Sequence, residues 1–306
     1  MNVPAGLRHF LSIGSLEDDE LAAVLGAAAR AKADPVGWAR ALDGKQVAML
    51  FEQPSTRTKV SFEVAVTSMG GNVVALDGAR SQIGRGETIE DTARVMSRYV
   101  DAVVLRTTSH DRLEAFAGAS EVPVINALTE LEHPCQVLSD LLTITESKGR
   151  LRGTVIAYLG DGNNVTHSLL LAAAMTGMEL RVATPLEYQP LQGYVDAARA
   201  RDAGASIELF DDPKEAARNA DVVYTDVWVS MGMEDNDHRR SALAGFQIND
   251  DILTNAATDV VVMHCLPAHR GEEITDDIID GPRSIVWEQA ENRLHAQKAL
   301  LAKLLP

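Results

Sequence analysis

Only two cysteines, Cys135 and Cys265, occur in 306 residues, far apart in sequence and each beside or near a histidine. Without spaced pairs of cysteines a disulfide-stapled fold is excluded, and the thiols suit a reducing cytoplasm. No apolar run approaches the roughly 20 residues that a membrane span needs. The opening MNVPAGLRHF has neither the basic stretch nor the apolar core of a secretion signal, so a soluble, unexported, cytoplasmic protein is expected. Positive charge is also scarce: 28 Lys and Arg stand against 44 Asp and Glu, a formal charge of −16. Such a surface repels a nucleic-acid backbone and an anionic membrane, and neither is expected as a partner. A few arginines and oriented backbone amides can still build a locally positive pocket for a small anion. Two nucleotide signatures are missing. There is no G-x-x-x-x-G-K-[ST], and Gly160-Asp161-Gly162-Asn163-Asn164 lacks the third glycine of G-x-G-x-x-G. A nucleotide-dependent oxidoreductase is thereby disfavoured, and no internal repeat or low-complexity segment is visible.

What is present is length and a rhythm. With 46% apolar residues, the chain can bury the cores of two domains. Short β-branched runs occur at Gln46–Phe51, Val73–Leu76, Ala102–Leu105, Val122–Ile125, Val155–Leu159, Leu180–Ala183, Ile207–Phe210, Val222–Thr225 and Val260–Met263. Amphipathic stretches separate them, among them Thr58–Met69, Glu87–Tyr99, Gln136–Lys148, Asn164–Gly177 and Asp212–Asn219. The alternation predicts an α/β fold with parallel sheets covered on both faces. Nine strands are many for one sheet, and the polar, glycine-bearing stretch 148–153 breaks the pattern near mid-chain. The expected domains are therefore 1–148 and 149–284, with a last helix over Ile285–Leu305 reaching back to the first.

The first strand runs into Glu52-Gln53-Pro54-Ser55-Thr56-Arg57-Thr58, and a helical pattern begins at once. Free backbone N–H groups at such a helix start bind phosphate, hydroxyls add donors, and Arg57 supplies a planar charged fork. Taken alone, the same residues also suit plain helix capping by Ser55 or Thr56. Further along, Arg106 ends a strand, His133-Pro134-Cys135-Gln136 opens a helix, and His264-Cys265-Leu266-Pro267 ends another strand. In open α/β sheets this carboxyl edge is where ligands bind.

Together with Asp226-Val227-Trp228-Val229-Ser230-Met231-Gly232 and Glu291-Asn292-Arg293, this set resembles the ornithine carbamoyltransferases of the aspartate/ornithine carbamoyltransferase superfamily. The resemblance runs in order from about Arg8 to Leu304. Ser-Thr-Arg-Thr and His-Pro-x-Gln are shared with the aspartate enzymes, whereas the Cys265 motif and the Asp-x-Trp-x-Ser-Met-Gly loop are those of the ornithine enzymes. Relatives acting on putrescine or acetylated ornithine differ in that loop; a carbamoyltransferase for another amine such as putrescine is the alternative.

The resemblance implies two Rossmann-like domains, one for carbamoyl phosphate and one for ornithine, a helix crossing back, a homotrimer and no cofactor. It implies carbamoyl-phosphate contacts by Ser55, Thr56, Arg57, Thr58, Arg106, His133, Gln136, Cys265, Leu266 and Arg293. Gln82, in the loop Ser81–Thr88, would reach a neighbouring subunit's site. Arg106, His133 and amides near Leu266 would favour the charge that develops on the carbonyl oxygen. Asn164, Asp226, Ser230 and Met231 would hold the amino-acid end of ornithine, with the neighbouring Asn163 an open alternative, while Cys265 would meet the δ-amine. For Asp226, an N-cap after its strand is the plainer reading. Trp228 and Met231 would belong to a closing lid. Strand alternation predicts that His264 faces away from Cys265. The spacing of His264, Cys265 and His269 does not suit a structural zinc site, and no metal is expected.

Overall fold

Runs of Val, Ile, Leu and Ala that carry no polar side read as strands buried on both faces, and the computed structural model places a strand at each of the nine. It describes residues 8–78, 86–201, 204–229 and 237–306. The strands are β1 (Gln46–Phe51), β2 (Asn72–Asp77), β3 (Ala102–Arg106), β4 (Val124–Leu128), β5 (Val155–Leu159), β6 (Glu179–Ala183), β7 (Ser206–Phe210), β8 (Val222–Thr225) and β9 (Val261–His264). They form two sheets, ordered β2-β1-β3-β4 and β7-β6-β5-β8-β9. Every pairing within them is parallel.

The helices among the described residues are α1 (Asp18–Ala33), α2 (Thr56–Ser68), α3 (Ile89–Met96), α4 (His110–Ala119), α5 (Pro134–Lys148) and α6 (Asn164–Thr176). After them come α7 (Gln192–Ala200), α8 (Pro213–Ala217), α9 (Asp237–Leu243), α10 (Asp250–Leu253), α11 (Asp276–Ile279) and α12 (Val286–Leu304). None is long and apolar enough to cross a membrane. Local chemistry sets their ends. The Asn163 side chain caps α6 by accepting from Val165 and Thr166 N–H, and Gly177 closes that helix at φ 72. A left-handed C-terminal residue of this kind is where glycine is favoured.

The chain divides into two compact units, Met1–Ser139 with Arg293–Pro306, and Asp140–Asn292. In the first, α3 and α4 cover the sheet through Ile89, Met96, Leu113 and Phe116 against Leu50, Val103 and Leu105. In the second, Leu159, Val223 and Val262 pack with Phe246, Ile252 and Ile278. This division runs through α5 and α12, so each helix gives residues to both units, whereas the polar stretch after Lys148 was the expected break. That stretch ends α5, with Gly149 at φ 71. The later residues of α12 join the first unit, in keeping with a last helix that reaches back.

Each sheet reverses its strand order once, between β1 and β3 in the first and between β5 and β8 in the second. At such a reversal, neighbouring loops leave in opposite directions and open a crevice beyond the carboxyl ends of the strands. The chain places Ser55–Thr58 after β1, Arg106 at the end of β3, Asn163 after β5 and Asp226 after β8.

Candidate functional site

In the first unit the fold gathers arginines around one histidine. Ser55 stands at the N-cap of α2 with extended backbone, yet its side chain makes no capping hydrogen bond. Plain capping therefore does not account for this serine, and the start of α2 keeps the amides and dipole that favour an anion. Thr58, one turn in, is buried, and its Oγ1 accepts from Arg293 at 2.7 Å. The other terminal nitrogen of Arg293 donates to Gln136 Oε1 at 2.9 Å. The guanidinium of α12 thus bridges α2 to α5.

Arg106 reaches the same region because β3 slips out of register with β4 at Leu105/Arg106. Such irregularities re-aim a side chain. Arg106 and His133 are each 5% exposed. Pro134 begins α5, a position where its missing N–H costs nothing. Burial above all, then the charges of Arg293, Arg106 and Arg57, push the His133 imidazole well below its usual range. The ring is neutral at neutral pH, and the positive charge around it calls for an anion. Cys135 takes no part: burial raises its thiol to about 12, and its Sγ donates to the Asn126 carbonyl.

Glu52, which sequence reasoning left without a role, braces this half-site. Its N–H donates to the Arg106 carbonyl at 2.9 Å, while its carboxylate accepts from Thr107 Oγ1 at 2.5 Å and Arg112 at 2.7 Å. The only signal in the sequence was an acidic residue directly before the cradle.

In the second unit, Asp226 gathers the donors. Its Oδ1 accepts from the Val227 N–H at 2.8 Å and from Cys265 Sγ at 2.7 Å, and its Oδ2 from Asn163 Nδ2 at 2.7 Å. No helix of the described residues starts at Asp226, so the helix-cap reading is replaced by a carboxylate aimed at Asn163 and Cys265. Asn163 is accordingly engaged with both the cap and Asp226. Asn164, the first residue of α6, is half-buried beside it.

One expectation at the end of β9 is corrected. His264 does not simply face away: one of its ring nitrogens lies within 4.8 Å of ligand atoms of both Cys265 and Asp226. Strand geometry ends at His264, and Leu266 adopts φ 58, so alternation no longer separates the two side chains. The Leu266 N–H, expected to serve a carbonyl oxygen, donates to His264 Nδ1 at 2.8 Å, while Nε2 lies 3.0 Å from Glu273 Oε1. With Nδ1 accepting, the ring proton sits on Nε2, toward Glu273.

Sequence reasoning also missed a buried ion pair, Asp161 with Arg239 at 2.6 Å. Arg239 Nε donates to the Trp228 carbonyl at 2.5 Å, and its guanidinium lies 4.4 Å from the centre of the Tyr188 ring. Burial outweighs the arginine and, with Asp226 adding repulsion, lifts the Asp161 carboxyl to about 7. Trp228 is buried, and its ring lies close to Gly160. Ser230, Met231 and Gly232, like Gln82, lie outside the described residues.

A family model described as aspartate/ornithine carbamoyltransferase, carbamoyl-P binding domain, matches residues 8–146. Its companion, the Asp/Orn binding domain, matches residues 152–304. An ornithine carbamoyltransferase of Acidothermus cellulolyticus is 57% identical over 98% of this chain and 97% of that protein. One of Archaeoglobus fulgidus is 52% identical over 98% of both. Among solved structures, the ornithine carbamoyltransferase of Pyrococcus furiosus superposes with a TM-score of 0.94 at 48% identity, covering 97% of each chain. The anabolic ornithine carbamoyltransferase of Campylobacter jejuni superposes at 0.93 with 39% identity, covering 97% of this chain and 99% of that one.

Proposed function

The chain belongs to the aspartate/ornithine carbamoyltransferase family, and on that premise we propose how its residues carry the reaction, in which carbamoyl phosphate and L-ornithine give L-citrulline and phosphate. This is the citrulline-forming step of arginine biosynthesis, and its reverse serves arginine catabolism. Carbamoyl phosphate binds in the first unit, its phosphate on the start of α2 with Ser55, Thr56, Arg57 and Thr58. Arg106 spans the phosphate and the carbonyl oxygen, and neutral His133 donates to that oxygen as it gains charge. Gln136 addresses the carbamoyl amino group with its side-chain amide.

Ornithine's ammonium end suits Asp226, and Asn164 takes the carboxylate end together with Ser230 and Met231. The δ-ammonium first releases a proton to solvent, with the Cys265–Asp226 pair beside the amine. The neutral amine then attacks the carbonyl carbon, forming a C–N bond. The C–O bond to phosphate breaks, and the nitrogen's surplus proton ends on the leaving phosphate. Carbamoyl phosphate is already an activated anhydride, so no acyl-enzyme is needed. Cys265 and Leu266 are further proposed contacts for carbamoyl phosphate, Leu266 through atoms other than the N–H that His264 accepts.

The single observation that carries this assignment is the convergence of Arg57, Arg106 and Arg293 on His133, a positive site built for an anionic ligand. We extend the proposal to a cytoplasmic homotrimer in which Gln82 of one subunit serves its neighbour's carbamoyl phosphate. Product formation from carbamoyl phosphate with ornithine, putrescine, acetylornithine and aspartate, compared side by side, tests the assignment. Ornithine should be strongly preferred. A preference for putrescine, which has no α-carboxylate, would remove the roles given to Asn164, Ser230 and Met231.

A further inference from the structure

Four buried groups outside the proposed ligand contacts form a closed hydrogen-bonded set. Asp140 on α5 is fully buried. Its Oδ2 accepts from the Tyr224 hydroxyl at 3.0 Å, and its Oδ1 from Gln289 Nε2 at 2.8 Å. The second proton on that nitrogen goes to the Tyr224 oxygen at 3.0 Å. The remaining end of the Gln289 amide, Oε1, accepts the His264 N–H at 2.9 Å. The triangle thereby ties Asp140 and Tyr224 to β9.

The placement of these residues gives the set its meaning. Tyr224 lies on β8, and Asp226 directly follows the last residue of that strand. His264 is the last residue of β9, directly before Cys265. The Asp226–Cys265 contact of 2.7 Å depends on how the ends of these two adjacent strands are held. One triangle, anchored on Asp140, grips both. Buried polar networks of this kind rigidify what they join, and a reacting pair needs such support behind it.

We propose that Asp140 is a positioning residue that, through Tyr224 and Gln289, sets the Cys265–Asp226 pair. The inference rests on the reading of Cys265 and Asp226 as groups that meet ornithine, and it concerns residues that touch no ligand themselves. Burial and the Asp140 carboxylate raise the Tyr224 phenol well above its usual range, so it remains a proton donor across the working pH.

The test uses Tyr224→Phe and Gln289→Met in the full-length protein, with the alkylation rate of each cysteine followed by mass spectrometry. Tyr224→Phe removes only a hydroxyl and keeps the ring, so it preserves the fold. Tyr224→Phe loses two bonds of the set and Gln289→Met three, and each should speed alkylation of Cys265 by about fivefold or more. Cys135, buried in the first unit, should keep its slow rate. A role in stability alone would accelerate both cysteines together. Parallel acceleration, or no change at Cys265 in either variant, overturns the proposal. Turnover is measured alongside: kcat should fall while KM for carbamoyl phosphate stays constant. If Cys265 alone accelerates but kcat holds, the positioning stands and the role of Cys265 in the reaction falls.

Discussion

Arg293→Met replaces the guanidinium by an apolar chain of similar length at the point where α12 meets the first half-site. Two bonds are lost, to Gln136 Oε1 at 2.9 Å and to Thr58 Oγ1 at 2.7 Å. Hydrogen bonds to charged groups contribute about 1.5–3 kcal/mol each, and buried acceptors left without donors add a cost. The side chain is 3% exposed, so solvent screening does little to soften either effect. Part of the loss falls on folding and part on the ligand, since one of the three charges facing His133 disappears. A loss of about 3 kcal/mol in carbamoyl-phosphate binding corresponds to a KM raised by about two orders of magnitude. Initial rates against carbamoyl phosphate at saturating ornithine measure it, and the ornithine KM should change little. Arg293→Lys separates charge from reach. Different nitrogens serve Gln136 and Thr58, so a single ammonium replaces one bond and should recover part of the affinity. If Arg293→Met kept its carbamoyl-phosphate KM within about twofold, a change of about 0.4 kcal/mol, the clamp reading would be refuted.

Below pH 6.5 the unfolded chain protonates His133 while the native chain does not, so this residue makes stability fall with falling pH, by at most about 1.4 kcal/mol per unit. His133→Gln should flatten that slope, as melting temperature across pH 5 to 7 would reveal. Gly162→Ala would set a Cβ 2.2 Å from the Pro190 nitrogen and 2.5 Å from the Gln189 carbonyl carbon. Since both are backbone atoms, overpacking of about 1–3 kcal/mol or more is expected, and a melting temperature equal to the parent's would contradict the close approach. For shared sites, Arg57→Ala and Gln82→Ala subunits are denatured and refolded together in equal amounts. Roughly a quarter of all sites should regain activity in randomly mixed cyclic trimers; a mixture as inactive as its parents, with mixed oligomers present, assigns Gln82 to its own subunit.

The strands were legible because most are buried on both faces and spell that burial in uninterrupted apolar runs, although β2 is exposed or half-buried throughout, and all nine appear within two residues of their expected starts. The proposed phosphate cradle could be named from the sequence because its residues are local, a few consecutive positions between a strand and a helix. What needed the fold was pairing across it. Nothing near Arg239 in sequence announces Asp161, 78 positions earlier, and nothing near Glu52 announces Arg112. The orientation of His264 failed for a different reason, since alternation is a property of strands and β9 ends on that residue. The two neighbouring asparagines show the same limit. Only the geometry assigns Asn163 to capping α6 and holding Asp226.

The place of Arg293 on α12 bears on how the protein is made. Domains tend to fold in order as they leave the ribosome, yet the first unit of this chain includes Arg293–Pro306. Its sheet can assemble early, while the residue that ties Thr58 to Gln136 is translated only after the whole second unit. A nascent chain therefore cannot close the proposed grip on carbamoyl phosphate until α12 has been made, and a product cut short before α12 would retain most of its sheets but not that clamp.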